Sequence, residues 1–336
     1  MKTRTILLLI ALLFPILAGG CARPSAGSST PVASSQTAAT GLLKGVSLSP
    51  RSFEAADFTD FFEKARLTGR VVSWAGDWNE LGDNSGGLKV LAELAPRYNY
   101  IPVIELQFFT QSSGKLLRLL DEATKQSYKL SAAAFAEKYR PAYLGIGIEV
   151  NVLYEKSPSD FDAFVPLFDT VYEAVKDKSP DTKVFTIFQL EKMKGLNGGL
   201  FGGVNDPAKN EWALLARFPK SDIIGFTTYP SLIYKTPAEV PADYYRDIKE
   251  HTTKPVVFTE TGWHSAVLPG KDWESSDAEQ AEFVSRFFSL TGDLNRGIVI
   301  WSFMYDPNTI EPFNRMGLRR RDGTAKPVWN TWIEEK

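Results

Sequence analysis

Cysteine is nearly absent from this chain. Cys21 is the only one in 336 residues, so no disulfide can form within the molecule and the fold must rest on its core. Histidine is almost as scarce: His251 and His264 are the only two, and they are not spaced like a zinc-binding pair. No other metal-ligand pattern is present, and no metal or cofactor is expected. An excess of one charge is missing as well. With 38 basic and 40 acidic residues the formal charge is −2, which gives no reason to expect nucleic acid or an acidic polymer as partner. Nor does any Ser/Pro-rich linker recur after residue 41, so residues 42–336 read as one continuous domain, expected to be a monomer. What the chain has instead is apolar and aromatic material, 43% hydrophobic and 12% aromatic with eight tryptophans, ample for a sizeable core. Tryptophan also stacks on sugar faces, although core packing is its default use.

The first residues are a targeting segment. Lys2 and Arg4 precede an apolar run over 6–17 that is too short for a typical spanning helix. It ends in Leu17-Ala18-Gly19-Gly20-Cys21, which resembles the lipobox of bacterial lipoproteins. The resemblance implies that residues 1–20 are a signal peptide, that Cys21 carries a lipid, and that the chain is membrane-anchored in the cell envelope outside the cytoplasm. The alternative is a plain secretory signal with an incidental cysteine. Ala22 follows the cysteine where Asp would mark retention, a pattern similar to outer-membrane lipoproteins of Gram-negative cells. Residues 21–41, rich in Ser, Thr, Ala, Gly and Pro, cannot bury enough apolar surface to fold and read as a flexible tether.

From there strand and helix alternate. Short apolar runs predict strands over 45–49, 70–74, 101–106, 143–150, 183–189, 223–228, 255–259 and 297–304. Helices are predicted over 53–65, 87–98, 132–139 and 242–249, with another running to residue 290 from a capping box at Ser276 and Glu279. The clearest helix carries Phe161, Phe164, Val165, Phe168, Val171, Tyr172 and Val175 as one stripe. Eight strands that are apolar throughout, separated by helices, fit an α/β fold of the (β/α)₈ TIM-barrel type. An open doubly wound sheet is the runner-up, but Ser47-Leu48-Ser49-Pro50-Arg51 is not the Gly-rich phosphate turn it would show after strand one.

Chemistry gathers at the predicted strand ends. The run Val257-Phe258-Thr259-Glu260-Thr261-Gly262-Trp263 closes a strand with a carboxylate, and Tyr143-Leu144-Gly145-Ile146-Gly147-Ile148-Glu149-Val150-Asn151 does the same 111 residues earlier. Two carboxyl groups on different strand ends are what glycoside hydrolysis requires: one protonated, one ionised. The other strand ends contribute Arg51, Trp74, Asp77, Trp78, Glu105, Gln107, Gln189, Glu191, Tyr229, His264, Trp301, Tyr305 and Asp306. Aromatic faces among planar hydrogen-bonding groups suit a pyranose. Substrate contacts are therefore expected from Arg51, Trp74, Asn151, Tyr229, Trp263, His264 and Trp301, with core packing the competing role of the tryptophans. Glu105 is either functional or a buried carboxylate paired with Arg51.

These segments resemble the clan of retaining (β/α)₈ glycoside hydrolases over about residues 45–332. Thr259-Glu260-Thr261-Gly262-Trp263 is similar to the nucleophile segment of β-1,3-glucanases, and Gly147-Ile148-Glu149-Val150-Asn151 to the Gly-Asn-Glu-Val-Asn segment of relatives of endo-β-1,4-galactanases. The resemblance implies a retaining, endo-acting β-glycosidase on an extracytoplasmic polysaccharide or oligosaccharide. Glu149 would be the acid/base, Glu260 the nucleophile, Tyr229 its partner and Trp301 the strand-eight tryptophan. One departure is Ile148, where the clan has an Asn that bonds the sugar 2-hydroxyl. Either Asn151 or another group serves the 2-hydroxyl, or the substrate lacks an ordinary one, or catalysis is weak. An Asn at 148 is then expected to raise activity. The alternative function is a surface-tethered glycan-binding lipoprotein on a catalytically impaired barrel.

Overall fold

The structure is a computed structural model that describes residues 41–82, 87–266 and 273–335. The expected signal peptide, Cys21 and most of the expected tether lie outside the described residues. Eight parallel strands close into a barrel: β1 (Leu43–Ser47), β2 (Val71–Asp77), β3 (Ile101–Gln107), β4 (Tyr143–Ile146), β5 (Lys183–Gln189), β6 (Ile223–Thr228), β7 (Val256–Thr261) and β8 (Arg296–Trp301). Each pairs with the next, and β8 pairs with β1 through Leu43 and Ile298, so no sheet edge is left open. The fold is a single-domain (β/α)₈ barrel.

Helices α1 (Ala55–Thr68), α2 (Gly87–Tyr98), α3 (Glu122–Tyr139), α4 (Val150–Lys156), α5 (Pro158–Lys178), α6 (Leu190–Met193), α7 (Ile248–His251), α8 (Asp277–Thr291) and α9 (Pro327–Glu334) connect or cover the strands. In α5 the predicted stripe is the buried face, with Phe161, Phe164, Phe168, Val171 and Val175 packed inward. Helix α3 begins ten residues before the predicted start, because Asp121 caps it by accepting from the Thr124 N–H (2.8 Å) although its first turns are polar. The predicted helix over 242–249 is mostly turns and becomes helical only at Ile248. A two-stranded ladder, Phe109–Thr110 with Lys115–Leu116, follows β3.

Side chains alternate between two layers. Leu43, Val71, Val103, Phe185, Ile187 and Ile300 fill the barrel, while Val46, Val72, Ile104, Phe188, Phe226 and Val299 face the helices. This parity decides which strand-end residues can reach a site at the carboxyl end of the barrel.

Candidate active site

Strand β4 stops at Ile146, four residues before the predicted end, and the chain turns sharply into α4. Two left-handed residues make the turn: Gly147 at φ 82° and Glu149 at φ 55°, ψ 45°. A non-glycine residue in this region costs about 1–2 kcal/mol. The conformation is held by the Gly147 N–H on the Leu106 carbonyl (2.9 Å) and the Val152 N–H on the Glu149 carbonyl (2.8 Å). It aims Glu149 at β6, where Thr227 Oγ1 donates to Glu149 Oε1 (2.7 Å).

Glu260 reaches the same end by another device. Phe226 pairs with Phe258, but Thr227 pairs with Glu260, so β7 carries one extra residue. Such a bulge re-aims the residue that follows it. Strict alternation from Val257, which faces the barrel, would have turned Glu260 toward the helices. With the bulge, Tyr229 OH donates to Glu260 Oε2 (2.5 Å) and also contacts Ser302 Oγ (2.8 Å).

Both carboxyl groups are buried, and their environments differ. Burial pushes the Glu149 carboxyl up to about 8, with the Glu260 charge adding to the effect and the Thr227 bond opposing it. Glu260 is pushed up to about 7 by burial, against the Tyr229 bond. The proton is therefore held more firmly on Glu149 than on Glu260. A third carboxyl group, Glu105, sits inside the barrel beside Ser73 and Thr259. Burial and the Glu260 charge raise it well above the usual carboxylate range, against the Thr259 and Ser73 hydroxyls, neither of which forms a well-aligned hydrogen bond to it. It is not paired with Arg51, which is engaged by Asp57 (2.7 Å) and Asp60 (3.7 Å) of α1.

Several expected sugar contacts are placed elsewhere. Arg51 is held by Asp57 and Asp60 of α1, with its guanidinium 5.6 Å from the Tyr305 ring centroid. Trp74, Trp263 and Trp301 belong to the layer between barrel and helices. Trp263 Nε1 donates to Ser275 Oγ (2.9 Å) and Trp301 Nε1 to the Met316 carbonyl (2.8 Å), so their faces are core. His264 is buried, pushed down to about 4 by burial and therefore neutral, with Nδ1 accepting from the Ala266 N–H (3.2 Å). Asn151 is committed to the backbone. It accepts from the Gln189 N–H (2.8 Å) and donates to the Gln189 carbonyl (3.1 Å) and Glu211 Oε2 (3.0 Å), extending the β4–β5 ladder beyond the point where β4 ends. That leaves no amide for a 2-hydroxyl. Tyr229 is the one member of the expected contact set found on a carboxyl group of the pair.

Sequence reasoning missed Trp273, the one tryptophan of the eight that is not buried. It lies on the loop after β7. Its Nε1 donates to the Ser231 carbonyl (2.9 Å), two residues beyond Tyr229, and the close approach of Gly199 to its ring leaves no room for a larger residue there. Among the described residues no three His, Cys, Asp or Glu side chains are grouped to hold a metal ion.

Ile148 lies in the barrel interior with Phe185 and Ile187. Ile148→Asn therefore places an amide among apolar side chains. The expected result is a loss of roughly 2–4 kcal/mol of stability with no gain in rate, read by denaturant unfolding and assays on one preparation. A stable, faster variant would show that this position faces the sugar.

No protein-family model matches this sequence, and no curated protein sequence matches it. Solved structures share the barrel. A family 39 glycoside hydrolase from the gut symbiont Bacteroides cellulosilyticus WH2 is 17% identical with a TM-score of 0.59, over 86% of this chain and 62% of that one. An exo-β-1,4-mannosidase from Opitutaceae bacterium strain TAV5 is 14% identical with a TM-score of 0.61, over 91% and 62%. A β-D-glucuronidase of Dictyoglomus thermophilum is 14% identical, also at 0.61, over 87% and 50%. The chain thus spans about half to three-fifths of the length of these structures, and the likeness is one of fold.

Proposed function

We propose that the protein is a retaining β-glycosidase acting on an extracytoplasmic polysaccharide or oligosaccharide. The observation that carries the reading is the pair Glu149 and Glu260: two buried carboxyl groups on the ends of β4 and β7, one bonded to a threonine hydroxyl and the other to a tyrosine. Glu260, the more readily ionised, attacks C1 while Glu149 gives its proton to the glycosidic oxygen as the C1–O bond breaks. Glu149, now ionised, then takes a proton from a water molecule that attacks C1 and frees Glu260. The Tyr229 bond stabilises the ionised nucleophile. The glycoside-hydrolase neighbours support the reading through the fold they share.

A screen of aryl β-glycosides and β-glucans tests it, with the first-formed anomer followed by NMR. Hydrolysis with retention supports the proposal; a product of inverted configuration would overturn the nucleophile assignment. The second reading is a glycan-binding lipoprotein on a catalytically impaired barrel. Binding without turnover on every substrate would establish it.

Trp273, the half-buried tryptophan held to Ser231 near Tyr229, with Lys235 Nζ 6.0 Å from its ring centroid, is a candidate for stacking on a sugar. Trp273→Ala is expected to raise KM about two- to tenfold at nearly constant kcat, the size of a stacking contact worth about 0.5–1.5 kcal/mol. An unchanged KM would remove it from the site.

The proposal includes lipidation at Cys21. Strand β1 enters the barrel at Leu43, on the face opposite the ends that carry Glu149 and Glu260, so a tether from Cys21 would join the barrel away from the site. Cys21→Ser is expected to move the protein from the membrane to the soluble fraction. A variant that still sediments fully with membranes would refute the anchor.

A further inference from the structure

Glu191, directly after β5, is a fully buried carboxylate that the proposed reaction does not use. Its Oε1 accepts from Thr228 Oγ1 (2.8 Å), the Tyr229 N–H (2.9 Å) and Tyr244 OH (2.8 Å). Its Oε2 accepts from Gln189 Nε2 (2.6 Å). The Gln189 amide cannot be turned round to accept instead, because its Oε1 already takes the Lys192 N–H (2.7 Å). Glu191 thus receives four hydrogen bonds. A protonated carboxyl would have to turn the Thr228 or Tyr244 hydroxyl round to accept and would lose that donor, so although burial raises its affinity for a proton, the four donors favour the anion.

Two of the four donors belong to residues 228 and 229, the turn that presents Tyr229 to Glu260. Thr227 bonds Glu149 and the adjacent Thr228 bonds Glu191, so one segment of β6 joins the two carboxyl groups. We propose that Glu191 is a positioning residue, a buried anion that anchors this turn and adds to the negative charge around Glu149. The proposal rests on the glycosidase reading for its kinetic consequence but not for its electrostatic one. The groups that face Glu149 are Glu260 from β7, Thr227 and Tyr229 from β6 and its end, and Glu191 and Lys192 from α6. Lys192 is itself paired with Glu155 (2.5 Å). Those around Glu191 are Tyr234, Tyr244 and Tyr245, all neutral, with Gln189 and Thr228. Apart from Glu260, Glu191 is thus the negative charge that opposes ionisation of Glu149. Its anchor is mechanical and its field is electrostatic, so the two can be separated by substitution.

Glu191→Gln keeps an oxygen for Thr228, Tyr229 and Tyr244 and removes the charge, while its NH2 loses the bond from Gln189 Nε2, which lies away from the Tyr229 turn. Tyr244→Phe removes one donor and keeps the charge. Glu191→Ala removes both anchor and charge. The protonation of Glu149 is read directly by infrared titration of its carboxylic-acid band, assigned by its loss in Glu149→Gln. In Glu191→Gln the midpoint is expected to fall by on the order of one pH unit, and the basic limb of the kcat/KM profile to move with it. Tyr244→Phe should leave the midpoint in place and lower kcat. Glu191→Ala should lower kcat about tenfold or more at nearly constant KM. A midpoint unmoved in Glu191→Gln, or moved equally in Tyr244→Phe, would overturn the field assignment. Full kcat in Glu191→Ala would overturn the anchor. If the wild-type protein hydrolyses no glycoside, the functional reading fails, while the infrared midpoints still decide the field.

Discussion

Glu260→Gln is expected to lower kcat/KM by on the order of 10⁴-fold or more on every substrate, equivalent to about 5.5 kcal/mol of transition-state stabilisation. The reason is covalent: an amide oxygen does not attack C1, and no other carboxylate shares the Tyr229 bond. Glu149→Gln should behave differently. Removing the proton donor matters most when the leaving group is a poor one, so an activated aryl glycoside should lose far less rate than an alkyl or sugar aglycone. Tyr229→Phe should fall between, because it removes the hydroxyl that favours ionised Glu260 but leaves both carboxyl groups. The kinetics need steady-state assays on two leaving groups and a thermal midpoint for each variant. Near-normal hydrolysis by folded Glu260→Gln would refute the nucleophile assignment, and equal losses on both leaving groups in Glu149→Gln would refute the acid.

The barrel was legible because parallel strands buried on both faces announce themselves as short apolar runs. Strands β5 and β6 fall on their predicted bounds for that reason. The polar opening of α3 hid its first ten residues, although Asp121 with Thr124 was a readable cap. The positions of Glu149 and Glu260 after strands four and seven were also legible, since each closes an apolar run. Their orientation was not. Glu260 depends on the extra residue in β7, and Glu149 on a left-handed turn that no propensity favours for glutamate.

The tryptophans show the reverse error. Proximity to a strand end drew attention to Trp74 and Trp301, yet alternation from Val71 and Ile300, which face the barrel, already turns both toward the helices. Asn151 looked like a sugar ligand because its amide is the right group, but β4 stops short and that amide takes over the missing ladder bonds. Glu191 stood at a strand end like the others. Only the four donors converging on it distinguish its role.

Stability is expected to fall as pH rises from about 5 to about 8.5. In the unfolded chain a glutamate titrates near 4.5, whereas the folded protein holds Glu149 up to about 8 and Glu260 up to about 7. Between those values the native state binds more protons than the unfolded one, so each unit of pH removes stability. The contribution is fully present below about 4.5, declines through the window and is constant above about 8. At about 1.4 kcal/mol for each pH unit separating folded and unfolded titration, the pair accounts for several kcal/mol, a large part of an ordinary domain's 5–15. His264 works the other way. Held neutral down to about 4, it lowers stability as pH falls below about 6.5, so the optimum should lie in the mildly acidic range. Glu149→Gln separates the two effects, because it leaves His264 untouched and removes the group with the higher titration point. Denaturant unfolding at pH 5 and 8.5 should show the variant more stable than the wild type at 8.5, with the gap narrowing or reversing at 5. That gain would mark the two buried carboxyl groups as a site maintained at the expense of stability. A variant that tracks the wild type at both values would mean that Glu149 ionises in the fold as easily as in water, and that it does not hold a proton for donation.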